Sequence, residues 1–361
     1  MNKRNVNILV LMLLLGTLLQ AAVFADDTAH NLRVVKQHII PAYEQLAVVA
    51  AAMNKQAESF CKNPDAQGLQ QLREAFHQSM DAWQSIQHIR FGPIEFVLRM
   101  NRLQLWPDKR GSVSKHLRKL LAGKDTSALK AERFTKASVA IQGFSALEKL
   151  LFNSQITENS FSPENDDGRF HCALVQAISK NIASISANLA AEWRQGDDAY
   201  LNYISSAAQG NDFYESDREV SSTMLNNLHT QMQVIVDQKL DRPLDKSLQK
   251  ARGKRAESWR SERSLRNIRL NLENLHAFYR SAFAPRLKDP KLEQAIETAF
   301  INTLKAVDAV QQPLAMAVKD SATRTQVENL RAEASQLKAL IGSQLPKGLD
   351  LPLGFNSLDG D

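Results

Sequence analysis

Apolar residues recur with a period near 3.6 along most of this chain, and period-two alternation is almost absent. Such a pattern produces apolar stripes on helices and no sheet faces, so the core has to be built by packing helix against helix. Proline and glycine punctuate it. The spacing predicts helices over roughly 29–60, 66–90, 127–153 and 169–194, then 214–240, 255–284, 288–317 and 319–342, with 94–125 irregular. Four long helices twice over predict an all-α protein of two tandem up-down bundles. The first spans 26–197 and the second 198–342, joined near 195–212, and 343–361 forms a C-terminal coil.

The first 25 residues are read as a signal peptide. Lys3 and Arg4 precede a short apolar run from Ile8 to Leu19, and Val23-Phe24-Ala25 supplies a cleavage site. The run is too short for a convincing membrane span, so the expectation is an exported, periplasmic protein that does not cross the membrane. Cleavage lowers the net charge from +6 to +4. That charge is spread evenly, without the basic block and interleaved aromatics of a nucleic-acid surface. Two cysteines, Cys61 and Cys172, lie in a compartment that permits disulfides. In the up-down topology, the end of the first helix and the start of the fourth meet at the same end of a bundle, which favours a disulfide over two buried thiols.

One carboxylate stands out. Around a helical wheel from Ile141, the side chains of Ile141, Phe144, Leu151 and Phe152 gather on one face, and Glu148 points into its middle with Ser145 at the edge. A buried acid either finds a partner or binds something, since an unpaired one costs several kcal/mol. Arg90 ends the stripe Phe76, Met80, Trp83, Gln87 and could pair with Glu148 through its fork, or it could snorkel and cap its own helix. Trp106 and Asp108 belong to a segment that must fold back over the first bundle, which places them beside Glu148. Two Glu-x-x-His runs, Glu74 to His77 and Glu273 to His276, fall in different bundles and so do not make a di-iron set. The chain has no Gly-x-Ser-x-Gly elbow, no His-Glu-x-x-His run and no Gly-rich phosphate loop.

At these residues the chain resembles the imelysin-like proteins of bacterial cell envelopes. Their Gly-x-His-x-x-Glu signature is matched by Gly143-Phe144-Ser145-Ala146-Leu147-Glu148. Further similarity lies in Arg90-Phe91-Gly92-Pro93, Leu105-Trp106-Pro107-Asp108-Lys109, Glu257-Ser258-Trp259-Arg260 with Asn267-Ile268, and Gly354 to Asp361. The resemblance implies a two-bundle helical protein associated with iron uptake. Of the signature, Gly143 and Glu148 carry over; with Ser145 and the expected neighbours Arg90, Trp106 and Asp108 they make up the expected ligand-binding polar cluster, in which Glu148 could contribute to a divalent metal or iron site. Ser145 stands where the signature has histidine, and serine is a poorer ligand than imidazole for zinc or iron. The expected function is therefore a non-catalytic binding or accessory protein that takes a small-molecule or metal ligand and works with other envelope iron-uptake components. The alternative is a metallopeptidase of the imelysin type with an altered metal site.

Overall fold

The computed structural model describes residues 27–354, so the expected leader over 1–25 and most of the Gly354 to Asp361 run lie outside the described residues. Helices and connecting turns make up the described chain, with no strand among the described residues. The protein is all-α.

The first helix, α1 (27–62), passes through a π-helical turn at Val35–Ile39 before continuing as Ile40–Lys62. Its buried residues Tyr43, Leu46, Ala50, Met53, Ala57 and Phe60 repeat every three or four positions and pack against α2 (Ala66–Ile86) and α5 (Asp166–Arg194). Each of these partners starts at a side-chain cap: Asp65 accepts from the Gly68 amide at 2.6 Å and Asn165 from the Gly168 amide at 2.8 Å. Cys61, near the end of α1, is joined to Cys172, in the first turns of α5.

A second set of helices comprises α6 (Asp217–Gln233, continuing through Val234–Leu240 to Asp241–Leu244), α7 (Ser264–Ala282), α8 (Pro290–Asp308) and α9 (Ser321–Ala339). Within it, α8 packs on α9 and α7, and α6 packs on α7 and α9. The two sets share one continuous hydrophobic core, because α7 also packs on α2. The first turns of α1 reach across as well: Asn31 donates to the Asp217 carbonyl at 3.0 Å and Arg286 pairs with Asp27 at 2.8 Å.

Two expected stretches exchange character. The predicted helix over 127–153 is broken, and only α4 (Phe144–Phe152) remains as a helix of more than one turn. Gly143 precedes it in extended conformation (φ −135°, ψ −163°), so Ile141 belongs to a separate turn and not to the same helical wheel. The cause is tertiary. A Cβ on Gly143 would lie 2.2 Å from both the Arg102 and Leu103 carbonyl oxygens, and Gln142 is bound by Arg102 and Asn181. Conversely, the stretch expected to be irregular contains α3 (Ser112–Gly123). The predicted helix at 255–284 begins only at Ser264, and that at 288–317 stops at Asp308. Beyond α9 the helix runs on through Leu340–Gln344 and Leu345–Leu349, where coil was expected from 343.

Candidate functional site

Helix α4 places Glu148 in an apolar setting, with Phe144, Leu147 and Leu151 fully buried on the same short element. The carboxylate is itself only 6% exposed. Its partner comes from the other set of helices: the Ser261 amide donates to Oε1 at 3.0 Å and the Ser261 hydroxyl at 2.8 Å. Burial pushes the Glu148 pKa up, against the two Ser261 hydrogen bonds and the Arg260 charge, with a further upward push from Glu257.

The turn that presents Ser261 is strained and clamped. Ser258 and Glu262 both sit in the left-handed region at φ 47° and 57°, a conformation that costs non-glycine residues about 1–2 kcal/mol each. On one side Glu257 Oε2 meets Lys239 Nζ at 2.8 Å, with both side chains only 1% exposed. On the other side Arg263 pairs with Asp81 on α2 and bonds His77 Nδ1 at 2.9 Å. Glu257 and Lys239 are surrounded by amides. Gln104 Nε2 donates to Glu257 Oε1 at 3.0 Å and Asn267 Nδ2 to Oε2 at 2.9 Å, while Lys239 donates to Gln84, Gln87 and Asn271 at 2.8, 3.0 and 2.6 Å. This network satisfies the charges that would otherwise be stranded in the seam between the two sets.

In front of Glu148 lies a cleft of about 260 Å³. Trp106, in a cis peptide with Pro107, and Trp259 contribute to its walls. Arg260 lies 4.2 Å over the Trp259 ring and Lys254 5.4 Å from it. Lys149, Arg242 and Arg255 also line the cleft. Burial lowers the pKa of Lys149, helped by repulsion from Arg260, while Asp108 and Glu148 oppose it.

Most residues singled out in the sequence come together here. Gly143 starts α4, and Ser145, Glu148, Trp106 and Asp108 all line the cleft. The Ser145 hydroxyl donates to the Leu105 carbonyl at 3.0 Å. Asp108 caps α3, accepting from the Ser112 and Val113 amides at 2.7 and 3.0 Å, so both its oxygens are engaged. Arg90 is the exception. It does not pair with Glu148; its Nη2 donates to Gln231 Oε1 at 3.1 Å and its amide to Asn227 Oδ1 at 2.5 Å. Burial lowers its pKa to about 10, which leaves it charged at neutral pH. It therefore belongs to the seam and not to the cleft.

The donor set does not suit a resident metal ion. Among the described residues no group of three or more His, Cys, Asp or Glu is placed to hold one. Glu148 is already bonded to Ser261 with Lys149 and Arg260 beside it, and Asp108, the other carboxylate of the cleft, has both oxygens committed to the α3 amides. The Glu-x-x-His residues are engaged elsewhere, His77 with Arg263 and His276 with Glu297 at 2.8 Å. Sequence reasoning missed Ser261, Trp259, Arg260 and Lys254 as site residues. The Glu257-Ser258-Trp259-Arg260 run was the available signal for Trp259 and Arg260; Lys254 and Ser261 lie outside it.

Residues 39–341 match the family model described as Imelysin, whose name places it among peptidases. The chain belongs to the imelysin family. A relative named iron-regulated protein A, from Synechococcus elongatus, is 22% identical over 293 residues, covering 78% of this chain and 75% of its own length. The crystal structure of an imelysin-like protein from Psychrobacter arcticum aligns with a TM-score of 0.74 at 22% identity, over 91% of this chain and 97% of that one. An iron-regulated protein A precursor from Parabacteroides distasonis aligns at 0.72 and 15% identity, over 90% and 95%. At these identities the solved structures speak to the imelysin fold.

Proposed function

We propose that this imelysin is an exported, periplasmic binding or accessory protein with an iron-related role, and that it works without catalytic turnover. The observation that carries the reading is the cleft itself. A buried Glu148 on one set of helices is held by Ser261 of the other, at the back of a space walled by Trp106, Trp259 and cationic side chains. Sites that bind small ligands are concave, partly apolar and carry a few oriented polar groups, as this one does. The name of the Synechococcus relative supports the link to iron. No helix among the described residues is long and apolar enough to cross a membrane.

The family model's name keeps a metallopeptidase as the second reading. One assay separates the two. Purified protein should neither carry stoichiometric zinc nor cleave an unfolded protein substrate, and its synthesis should rise when cells are starved of iron. Chelator-sensitive cleavage would overturn the binding reading. Export is tested by the N-terminus of the protein in a periplasmic fraction, expected at Asp26.

A further inference from the structure

The charge lining the cleft is one-sided. Lys149, Arg242, Lys254, Arg255 and Arg260 face a space in which the carboxylates are Glu148 and Asp108. Asp108 has both oxygens committed to the α3 amides, and Glu148 Oε1 is bonded twice by Ser261. The contacts that hold the cations in place are mostly neutral. Lys149 donates to the Ser114 hydroxyl, Arg242 to the Gln238 amide oxygen at 3.2 Å, and Lys254 and Arg260 pack on Trp259. Arg255 has a carboxylate nearby, Asp245, at 3.9 Å.

We infer that the cleft binds a compact oxyanion, carboxylate or phosphate in chemistry, with Arg260 as its principal donor and Lys149 and Lys254 beside it. The inference deepens the binding reading above and rests on it. A guanidinium held over an indole face is positioned by the ring and still has N–H groups to offer a planar anion. The Trp259 ring holds Arg260 in place before any ligand arrives, which reduces the ordering that binding must impose. Burial disfavours the charged forms of Lys149 and Arg260, and an arriving anion reverses that penalty. A bare divalent cation would meet the opposite field. The volume, about 260 Å³, lies just below the range of drug-sized sites and suits a small polyanion. For an iron-related protein, this chemistry admits iron wrapped in an anionic oxygen-rich chelator and disfavours the free ion.

Titration calorimetry on the mature chain tests this with four probes: citrate, inorganic phosphate, ferric citrate and zinc chloride. Citrate or phosphate should bind, and raised salt should weaken it. Which of the two binds identifies the class, and tighter binding of ferric citrate than of citrate ties the site to chelated iron. Arg260→Gln should weaken the anion about tenfold or more, and the exposed Lys254→Gln by a few-fold. Glu148→Gln, which removes a carboxylate from the back of the cleft, should tighten it. Circular dichroism melts confirm that each variant is folded. The proposal fails if neither anion binds at ~10 mM, or if both cationic variants bind like the parent. Zinc bound tightly and lost in Glu148→Ala would also overturn the oxyanion, while leaving the cleft as a ligand site. A cleft that binds none of the four defeats the oxyanion, and the broader reading then rests on ligand recovered from protein purified out of iron-starved cells.

Discussion

Glu148 shows how one residue's environment sets its behaviour. Its pKa is raised by burial. A carboxyl whose folded value exceeds its unfolded one holds its proton more tightly in the folded state. The native state is thus favoured below the unfolded pKa, and that advantage is lost as pH rises through the folded pKa. Glu148→Gln keeps an acceptor for Ser261 and removes the ionisation. The variant should therefore melt higher than the parent near pH 8, and the difference should vanish near pH 4; melts across that range check it. Gly143 is constrained differently. A methyl group there would sit 2.2 Å from two carbonyl oxygens, so the backbones of α4 and residues 102–103 would have to separate. Gly143→Ala should lose about 2–3 kcal/mol in urea unfolding, and a neutral result would show that this approach is soft.

At the scale of elements, the breaks and starts are decided by what each segment docks on. Helix α3 is amphipathic, burying Val113 and Leu117, and its capping residue Asp108 lies four positions upstream. Asp108→Ala should cost about 1–2 kcal/mol and fray α3, while Asp108→Asn should recover part of that, as read by chemical denaturation. That outcome would assign Asp108 to positioning the cleft wall. Equal loss of stability in both variants would place the importance of Asp108 in its charge. The turn before α7 follows the same logic. Its two left-handed residues are tolerated because Lys239 and Asp81 hold it at both ends.

At the scale of the molecule, the two sets of helices are joined by a buried ionic network and the first set is closed by a covalent bond. Lys239→Met would strand Glu257 among apolar and amide groups, with an expected loss of about 3–5 kcal/mol. Replacing Glu257 by Gln in the same chain should restore part of it, and the double-mutant cycle measures the coupling. The Cys61–Cys172 bond closes a loop of sequence separation 111. In the chain-entropy account, removing it with paired serines should cost about 4–5 kcal/mol, measured against the oxidised parent in guanidinium.

Sequence alone determined the all-α class, because helical periodicity and Pro-Gly punctuation are local properties that survive whatever packs around them. It also pointed to Glu148, since a carboxylate on a face shared with Phe144, Leu151 and Phe152 is anomalous, although Ile141, counted on that face, lies on a separate turn. Local pattern could not place the helix boundaries near 143 and 264. There, steric approach at Gly143 and ion pairs at Glu257 and Arg263 override propensities worth a fraction of a kcal/mol per residue. Nor could it pair Glu148 with Ser261, 113 residues away, or send Arg90 to Gln231 instead. Both Arg90 and the Ser261 turn satisfied the same local rules as their alternatives. Only the docking of α2 against α6 and α7 decided which buried charge would meet which donor, because leaving any of them unpaired in the seam costs more than the local preferences are worth.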